Sequence, residues 1–317
     1  MRTYLDFEKP VADLEGKVAE LKALAEEDES VAIEDEVKQL EDKAASRLTE
    51  IYANLNPWQE TMVARHPGRP HFLNYVARLF EEFTQLSGDR KYAEDEALVG
   101  GLARFRGTSV LVIGHEKGSD TEARLRHNFG MARPEGYRKA VRLMEMADKF
   151  DIPVISFIDT AGAYPGIGAE ERGQSEAIAR STDCCLALKV PHISIIIGEG
   201  GSGGAVAIAS ANEILMLEHS IYSVASPEAS ASILWHDSAR AEDAATAMKV
   251  SSNYLKEFGV IDKIIKEPTG GAHREPMQAI QATGDAIADA LKKYEDMSRE
   301  EILEHRREKF LKIGRNL

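Results

Sequence analysis

The chain has 317 residues, a hydrophobic content of 43% and a formal net charge of -14, with a pI near 5.2. A chain of this length can bury a full core and suggests roughly one to three domains. Its acidic balance argues against a general attraction to nucleic acid or to anionic lipid, so we expect neither as a partner.

The cysteine content and the N-terminus indicate the compartment. Cys184 and Cys185 are adjacent, so they fit neither a disulfide framework nor the spaced ligand pairs of a zinc site. We therefore predict two small core residues in a reducing environment. Residues 1–8 lack an apolar signal core, and no run of about 18 uncharged apolar residues occurs. These features predict a cytoplasmic protein.

Residues 1–65 form a predicted N-terminal helical region. Apolar residues recur at helical spacing between Val11 and Leu55, and the acidic stretch 26–30 divides them into two runs. This pattern indicates a helical hairpin or partner-binding helices, whose apolar stripes serve packing rather than catalysis. We predict that residues 66–317 form one further domain that ends in helices.

The second region opens with a break in the helical pattern at 66–70, followed by a predicted amphipathic helix over 72–83. Two apolar runs, 97–105 and 109–114, flank Arg106-Gly107-Thr108 and predict a β-hairpin. A further helix is predicted from Pro134 onward.

Three short apolar runs, 154–158, 193–197 and 214–217, predict buried strands with helical patterns between them. This alternation predicts a layered α/β core. Beyond Ser226-Pro227 we predict mostly helix, with the final, heavily charged helix facing solvent or a partner. The predicted C-terminal helices cover 232–235, 239–258, 277–294 and 299–310.

Glycine-bearing loops follow two of the predicted strands. The first is Asp159-Thr160-Ala161-Gly162-Ala163-Tyr164-Pro165-Gly166, and the second is Gly198-Glu199-Gly200-Gly201-Ser202-Gly203-Gly204. If their strands are neighbours, both loops emerge at the same sheet edge and share one pocket. One N–H donor from each loop can then hold an oxyanion, and one such donor is worth about 2.7–4 kcal/mol in other enzymes. Two merely tight turns remain the alternative.

Other motifs compete for the second loop. It matches G-x-G-x-x-G with Glu218 twenty positions after Gly198, but the helix predicted next is short for a dinucleotide site. We expect no nucleophile elbow at Gly201-Ser202-Gly203, which disfavours covalent serine catalysis. Ala247-Met248-Lys249-Val250 is similar to a biotin attachment signature, but it falls in a predicted helix. Lys249 is therefore expected to be an ordinary helix-surface lysine.

Several long motifs, in order along nearly the whole chain, resemble the carboxyltransferase alpha subunits of bacterial acetyl-CoA carboxylases. The resemblance is specific because the matches are long and consecutive. They include Gly114-His115-Glu116-Lys117-Gly118, Asn128-Phe129-Gly130-Met131, Pro134-Glu135-Gly136-Tyr137-Arg138-Lys139-Ala140, Phe157-Ile158-Asp159-Thr160, Gly162-Ala163-Tyr164-Pro165-Gly166, Gly168-Ala169-Glu170-Glu171-Arg172-Gly173-Gln174, the second glycine loop, and Gly270-Gly271-Ala272-His273-Arg274.

The resemblance implies a crotonase-like (ClpP/crotonase) α/β fold, a spiral of ββα units with an N-terminal helical extension. It implies an assembly of two alpha and two beta subunits. The implied reaction moves a carboxyl group from carboxybiotin, held by a biotin carboxyl carrier protein, to acetyl-CoA and gives malonyl-CoA for fatty acid synthesis. ATP would be consumed on a separate biotin carboxylase subunit. The family's zinc ribbon belongs to the beta subunit, so no metal is expected in this chain.

The resemblance also assigns site residues. Backbone N–H groups of Gly203 and Gly204 are expected to stabilise negative charge on the ureido oxygen of biotin, while the beta subunit provides the counterpart for the thioester enolate. The expected substrate-binding positions are Gly162, Ala163, Gly200 and Gly201.

Two departures from the family pattern, Ala161 for proline and Ala229-Ser230 for a Gly-Cys pair, affect only the expected fine geometry. Two other functions stay open from the sequence. A stand-alone crotonase-like acyl-CoA hydratase or thioesterase would need its own acid/base carboxylate beside the glycine loops. A non-catalytic scaffold would recruit partners through the N-terminal helices.

Overall fold

The computed structural model describes residues 2–27 and 34–315. Part of the acidic stretch predicted to divide the N-terminal helices, residues 28–30, lies outside the described residues. Nothing among the described helices combines the length and apolarity needed to span a bilayer.

The helices are α1 (Lys9–Glu27), α2 (Glu34–Tyr52), α3 (Pro57–Ala64), α4 (Phe72–Leu79), α5 (Thr121–Arg126), α6 (Pro134–Lys149), α7 (Ile167–Glu171), α8 (Gln174–Ala187), α9 (Ser202–Ala209), α10 (Pro227–Trp235), α11 (Ala241–Met248), α12 (Ser252–Glu257), α13 (Pro276–Lys292) and α14 (Arg299–Lys312). The strands are β1 (Glu81–Gln85), β2 (Leu98–Phe105), β3 (Thr108–His115), β4 (Val154–Thr160), β5 (His192–Gly201), β6 (Glu213–Leu217), β7 (Ile221–Ser223) and β8 (Lys263–Ile265).

These strands form one mixed sheet in the order β1-β2-β3-β4-β5-β6-β8, and β7 pairs with β5. The predicted hairpin is confirmed, because β2 and β3 are antiparallel from Leu98 opposite His115 to Phe105 opposite Thr108. Arg106 and Gly107 have φ values of 48° and 86°, as a two-residue hairpin turn of type I′ requires.

The three predicted buried strands are confirmed as β4, β5 and β6, which lie side by side and parallel. Strand β5 ends four residues later than predicted, so it includes residues 198–201 of the second glycine loop. The reason is β7, which pairs with Glu199, Gly200 and Gly201. Much of the second glycine loop is therefore strand, and the turn itself begins at Ser202.

The core lies on both faces of the sheet. In β4, Ile155 and Phe157 face one hydrophobic cluster, which includes residues of α4 and α13, while Val154 and Ile158 face the other, which includes residues of α6, α8 and α9. Burial on both faces explains why these strands appear in the sequence as continuous apolar runs.

Two predicted helices are wrong in extent. The helix over 72–83 ends at Leu79, because Phe80 is extended and Phe83 belongs to β1, which pairs with β2. The helix over 239–258 is divided into α11 and α12. Lys249 has a φ of 52° beyond the end of α11, and the chain then pairs with β7 through an Ile221–Ser251 bridge. Lys249 is exposed, but it is not on a helix surface.

The C-terminal helix α14 packs on the body rather than facing only solvent or a partner, so that prediction is wrong in part. Arg306 is 0% exposed. Its guanidinium donates to the carbonyls of Leu188 and Val190 and to Asn212 Oδ1. A cation here satisfies carbonyls just beyond the C-terminal end of α8, where the helix dipole favours positive charge.

The N-terminal helices α1 and α2 pack together through Val11, Ala44 and Leu48. Arg274 links this region to the rest of the chain, since its guanidinium lies 3.6 Å from Glu8 and 2.8 Å from Glu15. The boundary between domains 1–65 and 66–317 stays a prediction.

Replacing Phe157 by alanine should lower the free energy of unfolding by about 3–5 kcal/mol, because it leaves a cavity in a close-packed cluster. The Phe157 ring is 0% exposed and lies 5.6 Å from Phe72, 5.3 Å from Tyr75 and 6.2 Å from Phe80 between ring centroids. Urea denaturation measures the loss. Phe150→Ala is the control, since Phe150 is 63% exposed and should cost no more than about 0.5 kcal/mol. Equal losses would contradict this assignment of the core.

Candidate active site

The two glycine loops meet at the carboxyl edge of β4 and β5, as the sequence predicts. Their main chains are in direct contact. A Cβ added at Gly201 would lie 2.2 Å from the Ala161 carbonyl oxygen, and one added at Gly204 would lie 2.7 Å from Ala163 N. Both distances are shorter than side chains permit, so glycine is required at both positions.

The first turn of α9 presents unpaired N–H groups. Gly201 offers no side-chain cap, so the N–H groups of Gly203 and Gly204 have neither intrahelical partners nor a capping side chain. They carry the partial positive charge of the helix start. In the first loop, the Ala163 N–H donates to none of the described residues, whereas the Gly162 N–H donates to Thr160 Oγ1 at 3.1 Å.

The other predicted substrate-binding glycines pack against protein atoms. Gly200 is buried, and a Cβ there would lie 2.9 Å from the Tyr222 ring. Gly201 is buried against the first loop. The structure thus places Gly204 against Ala163, while Gly200 and Gly201 allow a close approach to neighbouring atoms, and Gly162 has a φ of 150° with no neighbour closer than 3.9 Å to an added Cβ.

Sequence reasoning missed the geometry of Ser202. The residues Gly200-Gly201-Ser202-Gly203-Gly204 do have G-x-S-x-G spacing, so the expectation that no elbow is present is wrong. Ser202 has a φ of 54° at a strand-to-helix turn, as an elbow residue does. Among the described residues, however, the serine hydroxyl in contact with a histidine is that of Ser156, 2.9 Å from His192 Nε2, and Ser202 has no such contact.

An apolar pocket of about 530 Å³ opens beside Ser202 and Gly203. Such a pocket, with few polar groups, is typical of sites for small organic ligands. Its walls come from α9, β7, α11 and α12. These elements are so far apart in the sequence that the motifs did not predict the pocket. The walls include Val206, Tyr222, Val224, Met248, Leu255 and Phe258.

A second, charged pocket of about 270 Å³ has Asp159, Ala161 and Lys117 in its wall. Asp159 is 4% exposed, and Lys117 Nζ lies 2.6 Å from its Oδ1. Burial raises the pKa of Asp159, but the Lys117 ammonium and the His71 ring more than offset this and hold the pKa well below its ordinary value. Asp159 is therefore a paired anion.

Two neutral polar side chains lie beneath the glycine turn. His115 is 0% exposed and lies beside the main chain of Phe157 and Gly204. Burial lowers the pKa of His115 to about 4. The Tyr137 hydroxyl would lie 3.1 Å from a Cβ at Gly204, and burial raises its pKa. Neither ring places a charge under the N–H donors at neutral pH.

The observed contacts weaken the competing interpretations of the second loop. Helix α9 has eight residues, and Glu218 accepts hydrogen bonds from Lys266 at 2.5 Å and from the Glu267 N–H at 3.2 Å, so it is engaged within the protein. Glu199 is paired with Arg65 at 2.7 Å. Since Asp159 is also paired, neither acid beside the loops has the character of a general base.

A mixed α/β sheet with unpaired main-chain N–H groups at its carboxyl edge is the crotonase-like fold, which a solved transcarboxylase and a solved acyl-CoA carboxylase share. The transcarboxylase 12S structure has a TM-score of 0.59 at 18% identity, over 73% of this chain and 44% of that chain. The beta subunit of Pseudomonas aeruginosa geranyl-CoA carboxylase has a TM-score of 0.55 at 16% identity, over 78% and 46%. This chain spans less than half of either protein. At these identities the likeness concerns the fold, and the predicted crotonase-like α/β fold is confirmed.

A family model for acetyl co-enzyme A carboxylase carboxyltransferase-like proteins matches residues 4–314. The acetyl-coenzyme A carboxylase carboxyl transferase subunits alpha of Xanthobacter autotrophicus and Methylobacterium nodulans are each 65% identical over 317 residues, which is 100% of both chains in each pair. The chain belongs to this family of carboxyltransferase alpha subunits.

Acidification should destabilise the protein partly through His115. Its folded-state pKa of about 4 lies below the ordinary value of 6.5, so between these values the unfolded chain binds a proton that the folded chain does not. The free energy of unfolding should therefore fall as the pH is lowered from 6.5 towards 4. The decrease should be shallower in His115→Gln, as measured by urea denaturation across pH. The exposed His236→Asn is the control, and identical slopes in wild type and His115→Gln would contradict the prediction.

Proposed function

We propose that this chain is the biotin-side half of an acetyl-CoA carboxylase carboxyltransferase. In this proposal a carboxyl group passes from carboxybiotin, on a biotin carboxyl carrier protein, to acetyl-CoA and gives malonyl-CoA. The observation that carries it is the contact between two loops with unpaired main-chain N–H groups, one of which, at Gly203, lines an apolar pocket, while Asp159 and Glu199 are already paired. The names of the full-length relatives support the same activity.

The residues present fit biotin. The pocket beside Gly203 is mostly apolar, as the fused rings and valeryl chain require, and donors lie at one end of it, as a urea carbonyl requires. Biotin, when bound, supplies the carboxyl group that is transferred. The N–H groups of Gly203 and Gly204 donate to its ureido oxygen, and Ala163 provides a further N–H from the first loop. Fixed donors of this kind stabilise developing negative charge without reorganising.

The site as it stands is open on one side, which supports a second subunit. Val224 lines the apolar pocket and is 85% exposed, and Ile167, just after the first loop, is 79% exposed. Exposed apolar residues beside a pocket are typical of an interface. We propose that a carboxyltransferase beta subunit covers this face in an α2β2 assembly, binds the thioester and excludes water. A biotin carboxylase would supply the carboxylated carrier.

Removal of one main-chain donor tests the assignment. Gly203→Pro deletes an N–H that has no intrahelical partner, and proline is tolerated in a first helical turn. We expect kcat for malonyl-CoA formation by the α–β complex to fall by roughly 10²–10³-fold.

Gly203→Ala is the matched variant for this test. It keeps the N–H, and its Cβ would meet only the Ile178 side chain, at 3.3 Å. It should lose much less activity than the proline variant. Equal losses in the two variants, or full activity with proline, would rule out the Gly203 N–H as a donor. Thermal unfolding of both variants checks that the fold is kept.

The isolated chain should form negligible malonyl-CoA from carboxylated carrier and acetyl-CoA, and an added beta subunit should restore turnover. The reason is that half of the site, including the thioester contacts, lies outside this chain. Full activity of the chain alone would contradict the proposal. Assays of enoyl-CoA hydration and thioester hydrolysis test the stand-alone alternative, and normal transfer by a complex in which both glycine loops are disrupted would favour a scaffold.

A further inference from the structure

Asp159 occupies an irregularity between β4 and β5, directly before both glycine loops. Ile158 pairs with Ile196 and Thr160 with Gly200, so one residue of β4 lies opposite three residues of β5. The regular ladder is interrupted there. The Glu199 N–H donates instead to Asp159 Oδ1, at 3.1 Å. The Asp159 carboxylate of β4 thus takes the place of a main-chain carbonyl as the acceptor for an N–H of β5.

The space for this contact depends on a glycine. A Cβ added at Gly198 would lie 2.5 Å from Asp159 Oδ1 and 3.2 Å from the Ala64 carbonyl oxygen. Any other residue at 198 would push the carboxylate away from the Glu199 N–H. This requirement explains a glycine that no turn or positive φ demands.

Two further groups hold the carboxylate, one at the same oxygen and one at the other. Lys117 Nζ lies 2.6 Å from Asp159 Oδ1, and His71 Nδ1 lies 3.6 Å from Oδ2. Lys117 follows β3 by two residues, so Asp159 joins the ends of three successive parallel strands. A buried carboxylate with an ion-pair partner and a main-chain donor has a well-defined position.

Both sets of proposed donors start from this junction. Ala163 follows Asp159 by four residues, and Gly203 follows Glu199 by four residues. A misplacement of about 1 Å between reacting groups can cost about 10²-fold in rate. We propose that Asp159 is a positioning residue for carboxyl transfer, which sets the spacing of the Ala163 and Gly203 N–H groups without touching the substrate. This inference rests on the function proposed above.

The main test compares Asp159→Ala with Asp159→Asn in the α–β complex. Alanine removes the acceptor, so we expect kcat to fall about 10²-fold while KM for acetyl-CoA changes by less than about 3-fold. Asparagine keeps an oxygen at the Oδ1 position for the Glu199 N–H and for Lys117, so it should recover most of kcat. Wild-type kcat in the alanine variant, or an asparagine variant as impaired as alanine, would overturn the inference.

A second variant perturbs the same contact from β5. Gly198→Ala should reproduce the loss of kcat, because its methyl group would displace the carboxylate. In the double variant with Asp159→Ala the methyl group has room, so the two losses should be far from additive. Additive losses would mean that the two residues act independently and would overturn the inference.

Glu213→Ala is the control for stability alone. Glu213 is 5% exposed and binds Tyr294 at 3.0 Å and Lys293 at 2.8 Å, at the start of β6 and away from the glycine loops. Its removal should lower thermal stability with kcat unchanged. If Glu213→Ala lost as much kcat as Asp159→Ala at the same loss of thermal stability, the positioning role of Asp159 would be overturned. An inactive wild-type complex, by contrast, would reject the proposed function itself.

Discussion

The site depends on direct contact between two main chains. Gly201 and Gly204 let β5 and the start of α9 approach Ala161 and Ala163 more closely than any side chain would permit. This contact aligns the unpaired N–H groups of two separate loops at one sheet edge. The parallel pairing of β4 and β5, buried by helices on both faces, keeps the two loops in place.

Charged, neutral and apolar groups surround the contact between the two loops. Gly203 lines the apolar pocket, the paired charges of Asp159 and Lys117 line a separate pocket, and neutral His115 lies beside the main chain of Gly204. Asp159 is paired with Lys117, and Glu199 with Arg65. The N–H groups at the start of α9 and the side chain of Lys249, which also lines the apolar pocket, both favour an anion there.

The sequence predicted those parts of the fold that local patterns determine. The hairpin around Arg106-Gly107, the three buried strands and the meeting of the glycine loops all follow from residues close together in the chain. The prediction from the sequence was wrong where contacts between residues far apart in the chain determine the local structure. Phe83 lies in a strand because β2 is beside it, and Lys249 lies outside a helix because β7 pairs nearby. Arg306 is buried because it binds carbonyls just beyond the end of α8. The elbow geometry of Ser202 was readable from its spacing, whereas the apolar pocket was not.

Hydrogen bonding through main-chain amides has a consequence for inhibition. A compound that binds the N–H groups of Gly203 and Gly204 relies on atoms that no substitution at those positions deletes, apart from proline. Resistance would then have to arise in the apolar walls, at residues such as Val224 or Met248, where a change of shape can exclude a drug. Few resistance mutations would therefore be expected against an inhibitor that does not contact these walls.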